Sequence, residues 1–174
     1  MALVVIAYPK LKIKDFRWIQ EYRKNNDELF FDVVDPHFTI VFPIFNHTDE
    51  GIIIKHIENT ANSFGGFDFV LNHAEENKDA FNEYWHTFLV PKIGNKEIIE
   101  IHDKLYTGIL EKELRKDIPF VSHIGVGNSK EEMVIKEQVL ILNSEGVNIH
   151  GKIDYLDICR YEEKITTLKR IKLR

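Results

Sequence analysis

Two histidines of this chain stand in matching surroundings. Pro36-His37-Phe38-Thr39-Ile40-Val41-Phe42-Pro43 is rich in aromatic and β-branched residues and reads as a strand, as does Val121-Ser122-His123-Ile124-Gly125-Val126. Side chains alternate along a strand, so Phe38, Ile40 and Phe42 share the face that must be core, leaving His37, Thr39 and Val41 on the open face. In the second run Ser122, Ile124 and Val126 turn to the core while His123 and Gly125 turn out. Imidazole has an unperturbed pKa of about 6.5, so near neutral pH one histidine can act as a base while a partner acts as an acid. Each such role is typically worth about 10² to 10⁴ in rate.

The elements that must position these residues repeat along the chain. Composition and periodicity predict strands over residues 3–8, 37–43, 67–74, 84–90, 120–127 and 147–161. Helices are predicted over 15–25, 48–63, 96–116 and 129–143, the third carrying Ile98, Ile101, Leu105 and Ile109 at helical spacing. Thr48 with Asp49 and Glu50, and Ser129 with Glu132, supply capping chemistry at two helix starts. Each half then runs from a strand ending in Pro-Lys, through a helix, to a histidine strand, a capped helix and a further strand. A period of about 85 residues is too long for a solenoid and suits two pseudo-symmetric lobes of one domain spanning residues 1–174.

The two histidine strands resemble the paired His-x-Thr/Ser motifs of the 2H phosphoesterase superfamily, in its 2′-5′ RNA ligase and cyclic phosphodiesterase branch. The order of elements follows that resemblance over essentially the whole chain. It implies a bilobal α+β fold, two mostly antiparallel sheets with outer helices and a central cleft. It also implies metal-free chemistry, with no cofactor, on a 2′,3′-cyclic phosphate or a 2′-5′ linkage of an RNA end or a nucleotide. His37 and His123 would be the acid/base pair, with Thr39 and Gly125 at the substrate-binding positions.

A hydroxyl two residues after a histidine can donate to a non-bridging phosphate oxygen as charge builds in the transition state, and Thr39 has one. Gly125 stands where the family usually has Thr or Ser. Ser122 cannot substitute, since alternation sends it to the opposite face. A lost hydrogen bond to a charged group costs about 1.5–3 kcal/mol unless an amide or water replaces it. Glycine also admits close approach of a ligand, and Gly125-Val126-Gly127-Asn128-Ser129 leads toward a helix N-terminus. Two other readings use the same residues: a fold that binds RNA ends or nucleotides without turnover, and a protein-interaction domain in which both histidines are incidental.

The remaining features bound these readings. At 174 residues, 44% hydrophobic and 29% charged, the chain can bury one core, and collagen-like and low-complexity classes are excluded. A net charge of −5 means that contact with nucleic acid must use a local basic surface. Lys10, Lys12, Lys14 and Arg17 form one basic cluster and Lys164, Lys169, Arg170, Lys172 and Arg174 another; they could lead an RNA end to the cleft, and guarding an edge strand or solvating a tail accounts for them equally well. The single Cys159 excludes an internal disulfide and reads as a small buried residue. The residues preceding the apolar run at 3–7 are not basic, so a cytoplasmic protein without a membrane partner is expected. No Walker loop, His-Glu-x-x-His pattern or metal-spaced carboxylate cluster occurs. Tyr8, Trp85, Tyr155 and Tyr161 could stack on a base if they face the cleft, and Asp154, Asp157 and Arg160 could orient groups near the histidines.

Overall fold

The computed structural model describes residues 2–45 and 49–174. The expected cap at Thr48, and His47, lie outside the described residues. Strand β1 (Ala2–Ala7) is buried along its whole length because it lies inside a four-stranded antiparallel sheet ordered β3-β1-β8-β9, with β3 at Phe38–Ile44, β8 at Tyr155–Tyr161 and β9 at Ile165–Lys172. Leu3, Val5 and Ala7 turn into the main core, while Val4 and Ile6 pack with Val34 and Cys159 on the other face. That two-sided burial is why the strand reads as an unbroken apolar run. The second sheet is ordered β2-β7-β4-β5-β6: β2 is Lys10–Leu11, β4 Phe67–Lys78, β5 Trp85–Ile93, β6 Ile124–Ser129 and β7 Ile149–Ile153.

The two halves correspond, with an exchange. The antiparallel pair β1–β3 of the first half matches β5–β6 of the second. The third strand of the first half, β4, joins β5, and β8 from the end of the chain joins β1, so each half completes the sheet of the other. Helices α1 (Ile13–Asn26), α2 (Glu50–Ala61), α3 (Asn95–Leu105) and α4 (Glu132–Glu145) connect the strands. The sheets meet where Phe38 and Phe69 pack edge to face, ring centroids 5.0 Å apart and both rings buried. Removing either ring would cost about 3–5 kcal/mol.

Several expectations need correction. The ladder between β1 and β3 shifts register after Thr39, so Val41, not Phe42, pairs with Val5 in the core and Phe42 is 40% exposed. The predicted helix over 96–116 breaks: α3 ends at Leu105, and Gly108 at φ +61° opens a separate 3₁₀ turn, Gly108–Glu113. Ser129 ends β6 and its hydroxyl accepts from the Glu131 amide, so the Ser129–Glu132 capping box does not form. Asp49 caps α2, its carboxylate accepting from the Ile52 amide at 3.1 Å. The expected strand over 147–161 is two strands in different sheets, parted at Asp154, and the basic C-terminal stretch is the edge strand β9.

Candidate active site

Each histidine is the residue immediately before an edge strand: His37 before β3 of the first sheet, His123 before β6 of the second. The local geometry is the same twice. His37 Nδ1 donates to the carbonyl oxygen of Asp35 at 2.8 Å and His123 Nδ1 to that of Val121 at 2.7 Å, each two residues back. A carbonyl only accepts, so both rings carry their proton on Nδ1 and keep the Nε2 lone pair for other work. Thr39 uses that of His37, its hydroxyl donating to Nε2 at 3.1 Å.

Both rings are half-buried, and their pKa values are pushed down to about 4, first by loss of solvation. The carbonyl hydrogen bonds oppose this shift, whereas the Arg23 guanidinium lowers His37 further and the field of His37 lowers His123. Both are therefore neutral near pH 7 in the free protein.

The segment before His37 is held by a buried polar network that the sequence analysis missed. Arg23 is 2% exposed and donates to Asp27 Oδ2 at 2.9 Å, to the Phe30 carbonyl at 2.9 Å and to the Val34 carbonyl at 2.8 Å. Asp27 Oδ1 accepts from Asn128 on β6 at 2.5 Å, so one chain of hydrogen bonds ties the approach to His37 to the strand that follows His123. An arginine in an amphipathic helix carries no sequence signal for this role; only its four-residue spacing to Asp27 was visible.

Around His123 the surroundings differ. A Cβ built on Gly125 meets nothing within 4 Å, and its φ is not positive, so neither packing nor backbone conformation requires glycine there. Phe88, directly across the ladder from Gly125, lies flat against His123, centroids 3.4 Å apart and planes 12° apart. Behind it His86 stacks on Phe88 at 5.7 Å, and its Nε2 bonds Asp79 Oδ2 at 2.9 Å. Ser122 is buried, its hydroxyl donating to Asn95 Oδ1 at 2.5 Å, which bears out its exclusion from the open face.

The structure sorts the other candidates. Tyr8 meets His37 edge-on at 6.3 Å, and its phenol is pushed up to about 12, mainly by burial, so it remains a proton donor at any ordinary pH. Asp157 is fully buried and held by Arg170 Nε at 2.9 Å, while Asp154 pairs with Lys10 at 2.6 Å and Lys152 at 3.2 Å. Arg160 turns to the opposite face and binds Glu50 of α2 at 3.1 Å, away from the histidines. Cys159 is buried, and loss of solvation pushes its thiol up to about 11. Trp85 lies under Lys78, away from His123 at the far end of β5. His56, His73, His102 and His150 bond Leu105 O, Glu75, Asp103 and Asn148 respectively. Among the described residues no three His, Cys, Asp or Glu converge to hold a metal ion, and no helix is long and apolar enough to cross a membrane.

This architecture is shared with known structures of low sequence identity. The chain superposes on the Thermus thermophilus protein TT0787 with a TM-score of 0.65 at 14% identity, covering 100% of this chain and 98% of the other. On E. coli LigT complexed with ATP the TM-score is 0.64 at 15% identity, with 99% and 97% covered. On Usb1 of Kluyveromyces marxianus it is 0.59 at 8% identity, with 99% and 98% covered. The fold is therefore that of the two-lobed phosphoesterases. The family model of the 2′-5′ RNA ligase superfamily matches residues 9–165, and the chain belongs to that superfamily of phosphoesterases and RNA ligases. No curated protein matches it.

Proposed function

We propose that the chain is a metal-independent phosphodiesterase of the 2H type that opens a 2′,3′-cyclic phosphate, or a 2′-5′ linkage, at an RNA end or nucleotide. The observation that carries this reading is the repeated clamp at Nδ1, which leaves an Nε2 lone pair on each of two imidazoles whose flanking segments are tied together through Arg23, Asp27 and Asn128. In the hydrolytic direction one Nε2 takes a proton from water as the water oxygen bonds to phosphorus. The other, protonated, gives its proton to the ribose oxygen as the P–O bond breaks. Thr39 turns its hydroxyl from His37 to a non-bridging oxygen of the phosphate. With both rings neutral in the free protein, the acid must gain its proton in the complex, and a phosphate anion within about 4–6 Å favours the charged imidazole.

The test is turnover of 2′,3′-cyclic nucleotides in excess chelator. Hydrolysis that survives chelator and collapses in either His37→Ala or His123→Ala supports the reading. Hydrolysis lost to chelator and restored by zinc contradicts it. Gly125 favours one rival, a fold that binds cyclic nucleotides without turnover, and binding with no product over a long incubation is its signature.

A further inference from the structure

Four aromatic rings stand in series from the segment before His37 to His123 itself. Phe30, His86, Phe88 and His123 have successive centroids 6.3, 5.7 and 3.4 Å apart, with planes 28°, 21° and 12° from parallel. Phe30 lies between α1 and β3, where Arg23 donates to its carbonyl and its amide donates to Asp27 Oδ1 at 3.1 Å. His86 and Phe88 are two apart on β5, so they project from the same face of the second sheet, the face that Gly125 shares across the ladder.

A histidine inside that series has a polar atom to satisfy, which phenylalanine in the same place would not. His86 is 7% exposed, so its ring needs a partner, and Asp79 Oδ2 lies 2.9 Å from Nε2. Asp79 is itself fixed. Its Oδ1 accepts from the amides of Phe81 at 2.7 Å and Asn82 at 3.2 Å, and its own amide donates to the Tyr84 carbonyl at 2.9 Å, closing the turn between β4 and β5. Loss of solvation pushes the Asp79 carboxyl up, but the Phe81 amide, His86 and the Asn82 amide outweigh it and hold the group below the usual carboxylate range. The ionised carboxylate accepts from His86 Nε2, so the His86 ring cannot turn without giving up a charge-assisted hydrogen bond.

The two half-sites need such a support unequally. The bond from His123 Nδ1 to the Val121 carbonyl holds that ring at one point, about which it can still rock. At His37 the Thr39 hydroxyl supplies a second point; at His123 the glycine two residues on has no side chain to do so. A flat ring at 3.4 Å supplies it instead, provided that ring is itself backed, and His86 stands behind Phe88. We infer that His86, seated on Asp79, is a positioning residue for His123: acting through Phe88, it fixes the plane of that imidazole and the direction of its Nε2 lone pair.

The inference rests on the phosphodiesterase reading for its effect on turnover, but not for the ring itself. The experiment is NMR relaxation dispersion at the His123 ring, which reads microsecond to millisecond motion, paired with hydrolysis of a 2′,3′-cyclic nucleotide. His86→Gln keeps a donor for Asp79 and removes the ring. Dispersion absent from the wild type should appear at His123, and kcat should fall about threefold with KM little changed, as a small misplacement of a reacting group does. Asp79→Ala leaves all four rings in place and removes only the seat; it should show the same changes more weakly, and it stands in if His86→Gln does not fold. Asp79→Asn keeps a hydrogen bond to Nε2 in either tautomer and should keep the His123 ring still. A His123 ring as still as in the wild type in both His86→Gln and Asp79→Ala, an Asp79→Asn ring as mobile as that of Asp79→Ala, or a raised KM with unchanged kcat would overturn the inference. Dispersion that appears as expected in a protein that never turns over a cyclic nucleotide would instead remove the phosphodiesterase reading and leave this role of His86 standing.

Discussion

The His37 and His123 half-sites hold their rings by the same hydrogen bond, Nδ1 to a carbonyl two residues back, and then part company. At the first, a hydroxyl from the same strand caps Nε2; at the second, the neighbouring strand supplies Phe88, stacked at 3.4 Å, and the position of the hydroxyl is an open glycine. The tautomer of both rings is thus fixed by backbone, whereas ring orientation is fixed by a hydroxyl on one side and an aromatic face on the other. The two half-sites share what sets the ring tautomer and differ in what stands two residues after each histidine.

Changes at single residues would break or sharpen that contrast. His37→Ala and His123→Ala are expected to lower kcat about 10² to 10⁴-fold each on a cyclic nucleotide, with the double variant little worse than either, because the two act on one step. Thr39→Val removes the only motif hydroxyl and should cost about 1.5–3 kcal/mol, roughly 10- to 150-fold in kcat/KM. Gly125→Ser restores the missing hydroxyl where a Cβ has free room, and kcat should rise several-fold. A fall in kcat with raised KM would show that the space is used by substrate. Phe88→Leu should lower kcat a few-fold with KM little changed, and Phe88→Tyr should restore it, since either ring can stack on His123.

The smallest effect is on stability. The folded chain takes up these two protons only near pH 4 while the unfolded chain takes them up near 6.5, so the unfolded state binds more protons between those values. Unfolding free energy should therefore fall as pH drops from about 6.5 to 4, and His37→Gln or His123→Gln should blunt that slope in denaturant titrations.

Period-two alternation was enough to put His37, Thr39, His123 and Gly125 on open faces, because each strand has one apolar side. It failed at Val41 and Phe42, where the register shift after Thr39 depends on pairing with β1 and leaves no mark in the strand itself. The break of α3 hinged on Gly108 adopting a positive φ, one of several glycines that could have done so. The Phe88 stack was illegible because it exists only once β5 pairs with β6, a strand much later in the chain. The basic clusters were visible separately; that Lys10 and Arg170 both lie over the Tyr155 ring depends on β8 and β2, which belong to different sheets.

The central claim is that one anion is held by both imidazoles. Following the ring-proton resonances of His37 and His123 by NMR while inorganic phosphate is added tests it directly. The account predicts that both move with a single dissociation constant, that both pKa values rise in the bound form, and that His37→Ala weakens the response of His123. Separate dissociation constants, or a shift at only one ring, would contradict it.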